Sequence, residues 1–164
     1  MLKNLWKEAM LEEIVKLPAI RQVYIWIIDE NRNIVIVSKD GVKWQMPGGK
    51  PDVNETLTET VIRELSEETG IELSEIEAKE ICFFGYYDFE RIDENEVVAD
   101  TFQQVRCYIK LNSSRTENLS PNEPEGLDPI KFVKKIGFDE IGNVIDWMPT
   151  TKEYEWLSQT RIVS

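Results

Sequence analysis

Apolar positions recur at near-helical spacing over residues 4–17, where Leu5, Trp6, Ala9, Met10, Ile14 and Leu17 oppose Lys7, Glu8, Glu12, Glu13 and Lys16 until Pro18 ends the pattern. The spacing predicts an amphipathic helix at about 4–17, whose apolar face either covers the core or makes a homodimer contact. Residues 23–28 and 34–37 are β-branched and aromatic runs on either side of Asp29-Glu30-Asn31-Arg32-Asn33, and they read as a hairpin. Both runs are nearly continuous in apolar character, which predicts strands covered on both faces and helices on either side of a sheet. Pro47-Gly48-Gly49 makes a bend. Thr56 and Glu59 then stand in capping-box spacing, Leu57, Val61, Ile62 and Leu65 form a stripe, and Gly70 offers a left-handed stop, so a helix is expected over about 57–69. Residues 81–87 and 97–111 read as strands separated by a charged connector at 88–96, followed by an acidic loop at 112–128. A short strand near 130–133 and helices around 139–145 and 152–160 complete the pattern.

Composition narrows the function. With 164 residues, 41% of them hydrophobic, the chain suits one domain spanning 1–164. Thirty-one acids against 19 bases give a net charge of −12, concentrated in residues 51–100, and this opposes a nucleic-acid polymer as partner. There is no histidine, which removes histidine-based nucleophilic triads and histidine-containing zinc sites. Acid or base work falls to Asp, Glu, Lys, Tyr or Cys. Cys82 and Cys107 sit in apolar runs at a spacing that suits neither a redox pair nor a zinc knuckle, so buried free thiols are expected. No apolar run is long enough to span a bilayer and the first residues are charged, so we expect a cytoplasmic protein with no membrane partner.

The chemistry concentrates on the helix at 57–69. At 100° per residue, Glu64 and Glu68 lie within about 40° of each other and Glu67 about 60° further round, on the border of the apolar stripe. Crowded carboxylates repel, and a divalent cation relieves the conflict; an all-oxygen donor set favours Mg²⁺ or Mn²⁺ over zinc. The same glutamates also fit a solvated helix face, since Glu is a good helix former. Context decides between the two. Residues 49–71 read Gly49, five residues, Glu55, seven residues, then Arg63-Glu64-Leu65-Ser66-Glu67-Glu68-Thr69-Gly70-Ile71. This resembles the Nudix box of the Nudix hydrolase family, G-x5-E-x7-R-E-U-x-E-E-x-G-U with U aliphatic, at every specified position, and Trp44-Gln45-Met46-Pro47-Gly48 resembles its usual lead-in.

The resemblance implies an α/β fold, an α/β/α sandwich with a central mixed β-sheet. It also implies hydrolysis of a nucleoside diphosphate linked to a further group X, with a divalent cation as cofactor and a small nucleotide as partner. In the matching positions Glu64, Glu67, Glu68 and the Gly49 carbonyl would hold metal, Glu64 or Glu67 would act as base, and Arg63 would fix a box carboxylate such as Glu55. Some family members take their base from a later loop, where Glu123, Glu125 and Asp128 stand here. Trp44, Tyr86, Tyr87 and Glu125 are candidates for substrate binding. The two tyrosines follow Gly70 by 16 and 17 positions, near a tyrosine of the dinucleoside polyphosphate subgroup. A nucleoside triphosphate or related nucleotide is the leading substrate. A dinucleoside polyphosphate, a nucleotide sugar, or a silent nucleotide-sensing module are the alternatives.

Overall fold

The computed structural model describes residues 1–122 and 128–160. In chain order they form β1 (Leu2–Glu8), α1 (Leu11–Ile14), β2 (Ile20–Ile28), β3 (Asn33–Ser38), β4 (Trp44–Gln45) and β5 (Gly48–Gly49). Then come α2 (Leu57–Thr69), α3 (Glu75–Ala78), β6 (Cys82–Ile92), β7 (Val98–Lys110), β8 (Phe132–Gly137) and α4 (Lys152–Gln159). The strands make one mixed sheet in the order β1-β6-β7-β2-β3-β4, with β5 on β2 and β8 on β3. β2 and β7 run parallel, and the other pairs are antiparallel.

The unbroken apolar runs find cover on both faces. Val23, Ile25 and Ile27 face a cluster with Val61 and Leu65 of α2, while Trp26 and Ile28 face a second cluster with Phe138 and with Leu157 of α4. Trp26, Ile27, Ile28, Ile34 and Ile36 are fully buried, so both layers exclude water from the sheet. This is the α/β/α sandwich expected from the box. The hairpin between β2 and β3 is present; its turn is tied by the buried Asp29, whose Oδ1 accepts from the Asn31 and Asn33 amides, each at 2.9 Å.

Four expectations are corrected. Residues 4–17 do not form one helix, because β1 occupies Leu2–Glu8 and α1 is a single turn at Leu11–Ile14. Edge pairing with β6, from Leu2 opposite Arg91 to Glu8 opposite Gly85, satisfies the backbone there and overrides the helical spacing. The connector at 88–96 is mostly strand, since β6 and β7 stay paired out to Ile92 opposite Val98. The segment near 139–145 is a 3₁₀ turn over Phe138–Asn143, and the strand expected near 130–133 runs over Phe132–Gly137. Both cysteines are free thiols, Cys107 buried and Cys82 half-buried.

Candidate active site

The site is assembled where β2 changes partner. β2 meets β3 at Ile28 opposite Ile34, and farther along the same edge β5 takes over, with Gly49 opposite Val23 and Gly48 opposite Tyr24. α2 packs across that junction. Its start is fixed by Thr56, whose Oγ1 accepts from the Glu59 amide at 3.1 Å, and its end by Gly70 at φ 77°. Val61 and Leu65 anchor the helix to the sheet, and this turns Glu64 and Glu68 toward β5, where they are only 8% and 2% exposed.

Glycine is required at β5. Gly48 has φ 153°, and a Cβ there would collide with the Val23 carbonyl; a Cβ on Gly49 would collide with the Glu64 carboxylate. With no side chains in the way, the Gly48 amide donates to Glu68 Oε1 at 3.1 Å. Burial pushes the Glu64 carboxyl above its usual range, opposed by the hydrogen bond and charge of Arg63.

Arg63 ties the box together. Its Nε and Nη2 donate to the two oxygens of Glu55 at 2.8 and 2.9 Å, and Nη2 also donates to the Lys50 carbonyl at 3.0 Å. Nη1 donates to Glu64 at 2.8 Å and to Glu67 at 3.4 Å. The bidentate bond from Arg63 holds Glu55 down at about 2. Among the described residues no three acidic side chains are gathered as a ready cation site, and Glu64 and Glu67 both face the guanidinium. The donor set still suits a hard cation: two nearly buried carboxylates, one of them packed directly against the glycine backbone because no side chain stands there.

These groups open on a cleft of about 240 Å³ lined by Tyr24, Lys39, Gln45, Gly49, Glu64 and Glu68, among others. Lys39 pairs with Asp128 across its rim at 2.7 Å. The structure therefore brings Gly49, Glu64 and Glu68 together, with Arg63 and Glu67 beside them. Trp44 lies outside the cleft lining, half-buried against the second core cluster, with the Lys134 ammonium 4.2 Å from its ring centre. Tyr86 packs against the first cluster and Tyr87 is 9% exposed among other rings; neither lines the cleft. Glu123 and Glu125 lie outside the described residues, while Asp128 lines the cleft. Sequence reasoning missed Tyr24, Lys39 and Gln45. Gln45 alone carried a signal, its place in the lead-in to the glycines.

The match extends well beyond the box: the family model of the NUDIX domain fits residues 18–154. The chain belongs to the Nudix family. Among curated relatives, an RNA pyrophosphohydrolase of Novosphingobium aromaticivorans is 58% identical over 36 residues, 22% of each chain. A putative 8-oxo-dGTP diphosphatase of Bacillus subtilis is 38% identical over 48 residues, 29% of this chain and 32% of that protein. The chain thus matches about a fifth to a third of the length of these relatives. The Nudix domain of Shewanella oneidensis NrtR, solved in complex with ADP ribose, aligns at TM-score 0.61 with 15% identity, covering 90% of this chain and 92% of that one. That likeness shows the fold. β1 and α1 precede the residues that the family model matches.

Proposed function

We propose that this Nudix protein hydrolyses the pyrophosphate bond of a nucleoside diphosphate linked to a further group, with Mg²⁺ or Mn²⁺ as cofactor and a nucleoside triphosphate or related small nucleotide as substrate. The observation that carries the reading is the pair of nearly buried carboxylates, Glu64 and Glu68, pressed on a side-chain-free backbone at Gly48 and Gly49, in a cleft with Lys39 at its rim. Glu64, Glu68 and the Gly49 carbonyl would hold the cation, with Glu67 joining them. When bound, such an ion neutralises phosphate oxygens and lowers the pKa of water near it.

The chain's own residues supply the rest. Arg63 and Glu55 orient the glutamates, because a bidentate fork fixes both partners in one plane. Lys39, paired with Asp128 at the rim, would turn its charge to the phosphate chain by exchanging that partner. A water oxygen attacks phosphorus, the bridging P–O bond breaks, the water's proton passes to Glu64 or Glu67, and the bridging oxygen leaves with the departing phosphate group.

A panel of nucleotides with Mg²⁺ or Mn²⁺ and product identification tests this. Glu67→Gln and Glu68→Gln should each lower turnover by about 10²- to 10³-fold, as expected when one preorganised charge is removed. The fold should be retained, and Glu68→Gln should weaken Mn²⁺ binding in a calorimetric titration. Full activity in both variants overturns the site, and no cleavage of any nucleotide overturns the function.

A further inference from the structure

Beside the cleft a second pocket of about 190 Å³ opens, and the two share Tyr24 and Gln45. It is smaller than the roughly 300–1,000 Å³ of pockets for drug-sized ligands, which suits one bicyclic ring. Met46, Ile145 and Met148 give it buried apolar walls, Trp147 stands 57% exposed at its mouth, and Gln104 and Arg106 of β7 lie at its base.

Arg106 is unusually constrained. β7 runs between β2 and β6, and the guanidinium carbon lies 4.8 Å from the Tyr24 ring centre and 4.9 Å from that of Tyr87. Rings from both neighbouring strands therefore cover its faces, so a ligand meets its N–H edge. Its Nε donates to Glu153 Oε2 at 3.0 Å, and Glu153 is fully buried, which leaves the pair neutral. The terminal nitrogens make long bonds, at 3.4 Å, to the Val105 carbonyl and to Gln104 Oε1. What the pocket presents is thus a fixed pair of underused donors with compensated charge, between apolar walls. A multiply charged phosphate gains little there. A flat neutral ring with two adjacent acceptors gains both hydrogen bonds, as a guanine does through O6 and N7, whereas adenine places an amino donor where the first acceptor is needed.

We propose that this pocket takes the base of the substrate and that Arg106 selects a 6-keto purine of the guanine type. The inference rests on the hydrolase reading for the phosphate end, with the base beside that cleft across the shared Tyr24 and Gln45.

Calorimetric titration of the full chain with GMP, IMP, AMP and 7-deaza-GMP tests it without turnover. GMP and IMP, which share the O6/N7 edge, should bind alike, and AMP and 7-deaza-GMP about 10-fold or more weaker. Arg106→Lys keeps a charge for Glu153 but loses the fork, so the preference for GMP should fall toward unity; if that variant does not fold, the ligand series on the natural chain decides. Equal affinity for GMP and AMP, no binding of GMP, or a preference unchanged in Arg106→Lys overturns the proposal. Preferential GMP binding with no cleavage of any nucleotide in the Mg²⁺ or Mn²⁺ panel removes the hydrolase reading and leaves the pocket. Cleavage of GTP and ATP with equal kcat/KM and equal affinities does the reverse.

Discussion

Arg63 on α2 and Arg106 on β7 each hold carboxylates, in opposite surroundings. Arg63 is 27% exposed and shares its donors among Glu55, Glu64, Glu67 and the Lys50 carbonyl. Arg106 is 8% exposed, pairs with the wholly buried Glu153, and is boxed in by two tyrosine rings. In the first region several partners and nearby water allow charge to be redistributed when a cation or phosphate arrives. In the second the further acceptors of Arg106, the Val105 carbonyl and Gln104 Oε1, are held at 3.4 Å and the rings close around the guanidinium, so the pair acts as a fixed frame. Binding chemistry that must rearrange belongs with the former, and shape recognition belongs with the latter.

The largest effect expected from breaking this contrast is at the buried pair. Glu153→Ala leaves Arg106 charged and without its carboxylate in the interior, and it also removes the acceptor of the Trp26 indole at 3.1 Å. Loss of one partner of a buried pair costs about 3–5 kcal/mol. For a chain of this size that lowers Tm by roughly 6–20 °C. Urea unfolding measures it directly, and a loss below about 1 kcal/mol would place the pair with ordinary surface bridges. Arg63→Lys should do the converse, because lysine cannot reproduce the fork to Glu55. Stability should fall by less than at the buried pair, by the part the Glu55 fork contributes, while metal affinity or turnover falls about 10- to 100-fold, the usual cost of disturbing the groups that orient metal ligands. Urea unfolding checks the first half, and Mn²⁺ titration and kcat on the same preparation check the second.

The two regions also differ in how far the sequence foretold them. Arg63 and the glutamates lie on a helix whose cap, stripe and left-handed stop are all local signals, with Glu55 just before its cap, so both the element and its chemical face were legible. Arg106 and Glu153 are 47 residues apart and meet only because α4 lies across the sheet, so nothing local announces them. β1 failed for the same reason. Leu5, Trp6 and Ala9 fit helical spacing, but the decisive backbone partners lie on β6, about 80 residues away. At 88–96 the polar composition concealed a strand because the β6–β7 ribbon is largely solvated there, and the alternation that marks a half-buried strand is missing.

The smallest effect expected comes from acid, and it concerns the exposed region alone. The bond to Arg63 holds Glu55 at about 2, against 4.5 for a free glutamate. The folded protein therefore binds this proton less readily than the unfolded chain. The resulting stability is fully present above about pH 4.5 and fades as pH falls toward about 2. Glu77 is likewise held at about 2 by Arg115, so the natural chain combines both slopes. Subtracting the unfolding free energy of Glu55→Gln from that of the natural protein isolates the Glu55 part. That difference should shrink from about pH 5 to about pH 3, and only in part, because the folded-state proton is not yet fully bound at the lower value. Arg63 keeps Glu64, Glu67 and the Lys50 carbonyl as partners when Glu55 is neutral, which limits the loss further. A difference that stays constant with pH would mean that the Glu55 charge adds nothing to the fold, and that Arg63 is oriented by its other partners.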